Sequence, residues 1–225
     1  MRSAPSLLPW LLLPMLAVLG GCIEIPAPKR QPVRQSTATF TPRPEARQCL
    51  ASLGTTRASF TPLPDQYFGA GCSTLNTVRL SGLQGDSAQF ALANLGPVAC
   101  PLAQTFAGWA RFGVDRAARQ ILGSPLARIE TMGSYNCRNV AGSGRRSAHA
   151  TAQAIDIAAF QLADGRRISV LGDWSEGSPR ERQFLEIVHA SACKRFGTVL
   201  GPAYNAAHRD HFHVELGSGG RSFCR

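Results

Sequence analysis

The chain has 225 residues, room for one domain with a leader and a linker but not for several independent domains. A formal net charge of +10 suits an anionic partner. No aromatic–basic repeat or helical DNA-reading pattern accompanies that charge, which argues against nucleic acid and leaves anionic lipid headgroups or an acidic cell-wall polymer as the expected partners.

Residues 1–21 read as a leader. Arg2 gives a short positive start, and the apolar run from Leu7 to Leu19 has the length of a signal-peptide core, short of the roughly 20 residues a membrane span needs. The run ends in Leu19-Gly20-Gly21-Cys22, which resembles the lipobox of bacterial lipoproteins. That resemblance implies that Cys22 is lipidated, becomes the mature N-terminus and anchors the chain on the periplasmic side of the envelope. Ile23 stands where an Asp would signal retention in the inner membrane, so the outer membrane is expected. Residues 22–47 carry Pro26, Pro28, Pro32, Pro42 and Pro44 among Lys29, Arg30, Arg34, Arg43 and Arg47, with little apolar periodicity. This is the composition of an extended basic tether.

Residues 48–225 are long enough to enclose a sizeable core. Leu102, Phe106, Trp109, Gly113, Ala117 and Ile121 recur at three- and four-residue spacing, which predicts a helix over 101–122 with Pro101 in its first turn. Strands are expected at 127–132, 153–160, 166–170 and 211–216, with a hairpin turn at Ala163-Asp164-Gly165-Arg166. Ser178-Pro179 followed by Glu181 opens a second helix that runs to Cys193 and carries His189 as a helix-face residue rather than a ligand. The mixture predicts an α+β fold, a small, mostly antiparallel sheet with flanking helices.

Setting Cys22 aside leaves Cys49, Cys72, Cys100, Cys137, Cys193 and Cys224, an even set that in an exported chain predicts three disulfides. None of them forms a C-x-x-C pair, which argues against thiolate ligation of zinc. Six cysteines allow fifteen connectivities, and spacing does not choose among them. The pairing expected is Cys193 with Cys224, Cys49 with Cys72 and Cys100 with Cys137.

Four of the five histidines fall in two short segments, Ser147 to Asp156 and His208 to His213. On a strand, Ile155 and Ile157 would face the core while Asp156 points the other way. His211 and His213 would share one face, with Phe212 and Val214 buried behind them. Either segment alone reads as a surface pair or an ion pair, and burying two imidazoles costs stability unless each finds a partner. Together they offer two imidazoles and one carboxylate, which leave a tetrahedral zinc one open position for water. A hydrolase needs that arrangement.

Ser147-x-His149-x-x-Ala152-x-Ala154-x-Asp156 resembles the S-x-H-x-x-G-x-A-x-D signature of the zinc peptidases related to lysostaphin and the D-alanyl-D-alanine carboxypeptidases, with Ala152 in place of the Gly. His208, His211 and His213 are similar in spacing to the penicillin-insensitive murein endopeptidases. From Cys49 to Arg225 the chain resembles the bacterial extensin-like C-terminal domain family, in Gly133-Ser134-Tyr135-Asn136-Cys137-Arg138, in Asp173-Trp174 and in Phe196-Gly197-Thr198-Val199-Leu200-Gly201-Pro202. Carried over by position, the resemblance implies a zinc-peptidase-like fold, Zn2+ held by His149, Asp156 and His213, and hydrolysis of peptidoglycan stem peptides or cross-links. It leaves two candidates for the general base. One is His211, helped by His208; the other is Asp210, which three residues before the last ligand would face away from the metal on a regular strand. Arg138 ends a segment that resembles the S-G-Y-R strand of the carboxypeptidases, which implies substrate binding; Ser147 binds substrate or closes a turn. The alternative is a non-catalytic cell-wall-binding lipoprotein that keeps the metal as a structural clamp. Ala152 and the missing Glu base favour that reading, and the complete ligand set favours the enzyme.

Overall fold

A computed structural model describes residues 43–217 and 222–225. The leader expected over 1–21, the lipidation expected at Cys22 and the tether up to residue 42 lie outside the described residues. Helix α1 (Pro44–Thr55) begins ahead of residue 48, with Pro44 in a first turn whose N–H groups have no helical partner in any case.

Between α1 and the next helix the chain forms six strands: β1 (Ser59–Pro62), β2 (Gln66–Gly69), β3 (Cys72–Thr74), β4 (Thr77–Gln84), β5 (Gln89–Ala93) and β6 (Pro97–Ala99). Helix α2 (Cys100–Trp109) follows, then β7 (Leu126–Gly133), β8 (Ala154–Leu162), β9 (Arg167–Ser169), α3 (Val170–Asp173), α4 (Pro179–Cys193), β10 (Thr198–Leu200), β11 (Phe212–Glu215) and β12 (Phe223–Cys224). Ten strands make one sheet in the order β1-β4-β5-β7-β8-β11-β10-β12, with β6 on β4 and β9 on β8; β2 and β3 form a separate ribbon. Only β5 with β7 and β10 with β12 run parallel among these pairings. The fold is therefore α+β with a largely antiparallel sheet and flanking helices. The sheet is larger than the small one expected, because β1, β4, β5 and β6, all ahead of α2, join it.

Helix α2 is apolar nearly all round. Cys100, Leu102, Ala103, Phe106, Ala107 and Trp109 are buried, which places it inside the molecule. It continues with π-helical pitch over Ala110–Asp115 and Ala118–Leu122 and stops at Gly123, whose φ of 75° ends the helix in a left-handed turn. Trp109 fills the space between this helix and the sheet, with ring centroids 6.4 Å from Phe160 and 5.9 Å from Phe196. Its indole N–H donates to Val188 O of α4 at 3.3 Å. The start of α4 is fixed by a reciprocal cap: Glu181 N–H donates to Ser178 Oγ, and Ser178 N–H donates to the Glu181 carboxylate. Among the described residues no helix is long and apolar enough to cross a membrane.

Three disulfides join these elements: Cys49–Cys100, Cys72–Cys137 and Cys193–Cys224. The last is the expected pair. The expected Cys49–Cys72 and Cys100–Cys137 pairs do not form, because α1 packs across the start of α2 while the β2–β3 ribbon lies against the segment that follows β7. Helix α1 buries only Ala46 and Leu53, too little apolar surface to hold a short helix unaided, and the Cys49–Cys100 bond supplies the missing constraint.

Candidate metal centre

The centre is built on β8 and β11, which pair antiparallel with His213 directly opposite Asp156. Alternation does the rest. Ile155, Ile157, Phe212 and Val214 are fully buried in the core, so Asp156 and His213 stand side by side on the other face. His149 comes from the 3-10 turn Ala148–Thr151, capped by Ser147, whose Oγ accepts from His149 N–H at 3.3 Å. The chain reverses at Ala152, and that reversal brings a histidine seven residues ahead of Asp156 back beside it. Ala152 sits at φ 55°, ψ 28°, the left-handed conformation that glycine adopts freely. The methyl group there costs on the order of 1–2 kcal/mol.

Donor atoms of three side chains converge. His149 Nε2 lies 3.1 Å from Asp156 Oδ2 and 3.2 Å from His213 Nδ1, and His213 Nδ1 lies 2.8 Å from Asp156 Oδ1. The remaining nitrogen of each ring is occupied. His149 Nδ1–H donates to Ser134 O at 3.2 Å, and His213 Nε2–H donates to Glu215 Oε1 at 2.8 Å. These contacts hold the outer N–H of each ring, so that the inward nitrogens, once free of any proton, point their lone pairs towards the same place. Glu215 was not singled out from the sequence. Its signal was present, since two residues after His213 on a strand it must share that residue's face.

The neighbouring histidines form a second rank. His211 precedes the strand; its Nε2 lies 3.5 Å from Asp156 Oδ1 while its Nδ1–H donates to Asp210 Oδ1 at 2.8 Å. Asp210 thus turns towards His211 as its hydrogen-bond acceptor. His208 pairs through Nδ1 with Asn205 Oδ1 at 2.7 Å and stacks near His211, with ring centroids 5.1 Å apart. His189 lies elsewhere, in α4 between Trp174 and Phe212, behind the strand that carries the cluster. The centre opens into a cleft of about 500 Å³ whose lining includes Arg138, Arg145, Ser147, Tyr204, His208, His211 and Phe223. Arg138 is exposed there. Ser147 is buried and serves as the cap beneath His149.

The charges of the cluster are strongly coupled. Burial pushes the Asp156 carboxyl up, but hydrogen bonds from His149 and His213 overcome it and hold the group well below the ordinary carboxylate range. Burial likewise pushes His213 down, and its bonds to Asp156 and Glu215 reverse this, raising it to about 9. Glu215, also opposed by burial, is held below its usual range by His213. Burial and then the nearby His211 and His213 lower His208 to about 4. In the metal-free protein a proton on His213 therefore stands between two carboxylates, a place suited to a cation.

Among the described residues there are two groups of potential metal ligands: His149, Asp156 and His213, and His189, Cys193 and Cys224. In the second, both sulfurs are joined in a disulfide and present no thiolate, so it holds no metal as folded. The first fits zinc. Donors bound tetrahedrally at about 2.0–2.2 Å stand roughly 3.3–3.6 Å apart, so separations of 2.8–3.2 Å require an outward shift of only a few tenths of an ångström.

No curated protein and no solved structure matches the chain. The family described as "Extensin-like protein C-terminus" matches residues 47–225, which covers all but the N-terminal part. The chain belongs to that extensin-like C-terminal family.

Proposed function

We propose that this protein is an exported, zinc-dependent peptidase of the cell envelope that hydrolyses peptidoglycan stem peptides or their cross-links. The observation that carries this reading is the convergence of His149 Nε2, Asp156 and His213 Nδ1 at the wall of an open cleft, with the outer nitrogen of each ring already hydrogen-bonded. The similarity of the Ser147–Asp156 segment to the zinc peptidases supports the same reading, as do the three disulfides, which suit an oxidising compartment. Lipid anchoring through Cys22 on the outer membrane belongs to the proposal and accounts for the leader and the basic tether.

Bound to the three ligands, zinc would supply a Lewis acid that polarises the scissile carbonyl and lowers the pKa of the attacking water. The remaining work falls to side chains. His211 Nε2 takes the proton from the attacking water and returns it to the leaving amine, while Asp210 holds Nδ1–H and fixes the ring. His208, kept neutral by burial and by its neighbours, adds no positive charge against the protonated His211. Arg138 stands in the cleft where a guanidinium can meet a carbonyl or carboxylate oxygen.

The test is mass analysis of purified peptidoglycan after incubation with the zinc-loaded protein, with a chelated control. Cleaved stem peptides or separated cross-links are expected. His211→Ala should keep zinc and lose about 10²–10⁴-fold in rate, and Asp210→Asn should lose less. An equal loss in Asp210→Asn would transfer the role of base to the aspartate. Tight binding of peptidoglycan by the zinc-loaded protein without release of any fragment would replace the enzyme by a cell-wall-binding lipoprotein with a structural metal.

A further inference from the structure

Arg138 and Arg145 line the same cleft as the histidine–aspartate cluster. Some arginines elsewhere are neutralised by acids, as Arg43 is by Asp65, Arg111 and Arg116 by Asp86, and Arg167 by Glu130. Among the described residues neither cleft arginine has an ion pair. Arg138 donates only to Asn139 O, at 3.3 Å. The two carboxylates that line the cleft, Asp156 and Glu215, are both engaged by imidazoles. The cleft thus presents two guanidinium forks and no acid free to neutralise them.

Arg145 stands on a tied turn. Val140 N–H donates to Arg145 O at 2.9 Å, Ser143 N–H to Val140 O at 3.0 Å, and Arg145 N–H to Ser143 Oγ at 3.1 Å. Asn139 and Arg146 bridge its two sides, and Gly142 takes the positive φ of 72° that the turn requires. The base of the arm is held while its head is unpaired, an arrangement that lowers the ordering cost of binding. Arg138 also lies close enough to His208 to add to the depression of that ring, which places it on the side of the histidines.

We propose that Arg138 and Arg145 form a carboxylate-reading wall, so that the cleft takes a peptide presenting a free carboxylate beside the bond that lies over His149, Asp156 and His213. The reference to a bond rests on the peptidase reading; the recognition of a carboxylate does not. A planar fork meets a carboxylate through two parallel hydrogen bonds, which an ammonium cannot do. A volume of about 500 Å³ suits a short peptide segment. The carboxylate has two sources, the C-terminus of the peptide or an acidic side chain within it.

Equilibrium binding to the chelated full-length protein separates these sources without relying on turnover. The probes are acetyl-D-alanyl-D-alanine, its terminal amide, and acetyl-D-glutamyl-D-alanine amide. One of the two acids should bind roughly 10- to 100-fold more tightly than the uncharged amide, and which acid does so names the source. Arg138→Gln and Arg145→Gln should each remove much of that preference, the double variant should abolish it, and Arg145→Lys should restore only part. Both residues are exposed, so circular dichroism and zinc uptake should be unchanged in all variants. Acids that bind no better than the amide, an absence of measurable binding, or a preference that survives the double variant would overturn the proposal. If the preference behaves as expected while the zinc-loaded protein cuts no peptidoglycan, the peptidase reading fails and the wall stands. If peptidoglycan is cut equally well by the double variant, the wall fails and the peptidase reading stands.

Discussion

His213 stands between two carboxylates, 2.8 Å from Asp156 on one side of the ring and 2.8 Å from Glu215 on the other. These contacts raise its pKa to about 9 from an ordinary 6.5, against the opposing effect of burial. In the unfolded chain the ring titrates near the ordinary value. The pairing therefore stabilises the metal-free fold fully below pH 6.5, and the contribution is lost as pH rises through about 9. Thermal melts of metal-free protein should show Tm falling across that window, while zinc-loaded protein should show no such fall, because the ring is already deprotonated and ligated. Zinc must displace the same proton, so its apparent affinity should rise with pH up to about 9. Glu215→Gln keeps an acceptor but removes the charge and should weaken zinc binding by about 10- to 100-fold, measured by competition with a chromogenic chelator. Zinc affinity that is flat with pH and unchanged in Glu215→Gln would mean that the metal does not bind through His213.

At the scale of elements, the crossing of the α2 extension over α4 depends on one glycine. A methyl group on Gly113 would run into Ser191 Oγ and approach Trp109 Cδ1 at 2.9 Å. Gly113→Ala should cost about 1–3 kcal/mol through overpacking, and adding Ser191→Ala should recover part of that loss, both read from thermal or denaturant melts. Helices of this kind were legible in the sequence. The apolar spacing from Leu102 to Ile121 and the Ser178–Glu181 cap mark their own positions, because a helix is specified by residues close in the chain. So were the faces of β8 and β11, since alternation alone puts Ile155 and Val214 inward and Asp156 and His213 outward. The π-helical pitch over Ala110–Asp115 was not legible, because apolar spacing marks a helix and its buried face but not its pitch. Strands β1 to β6 escaped for a related reason. Phe60 pairs with Leu80 and Ala91 with Arg128 across long separations, and apart from the eight-residue β4 these strands run for only three to five residues, too few to carry much alternation of their own. Within the candidate site, the ligand types and their spacing were readable, whereas Ser134, whose carbonyl orients His149, arrives from just beyond the end of β7 and carries no sign of that contact in its own neighbourhood of the chain.

Across the whole molecule, the disulfides tie peripheral pieces to the core. Cys49–Cys100 docks α1, Cys72–Cys137 fastens the β2–β3 ribbon, and Cys193–Cys224 closes the C-terminal strand onto α4. The loops they close differ little in length, with separations of 51, 65 and 31 residues, so the chain-entropy account assigns each a similar stabilisation of about 4 kcal/mol. Their effects on the metal centre should nevertheless differ. The Cys49–Cys100 bond joins α1 to the start of α2, and neither helix supplies a residue of the cluster, so a Cys49→Ser, Cys100→Ser double variant should lower Tm and leave zinc affinity intact. Cys137 lies between Ser134, which accepts from His149 Nδ1, and Arg138 in the cleft, and Asn136 N–H donates to His149 O at 3.1 Å. Freeing that segment in a Cys72→Ser, Cys137→Ser variant should loosen the orientation of His149 and weaken zinc binding as well as stability. Zinc titrations at a temperature where both variants remain folded separate the two effects. Equal zinc affinity in the two variants would show that His149 is held by its 3-10 turn and Ser147 alone, and that the ribbon contributes only to stability.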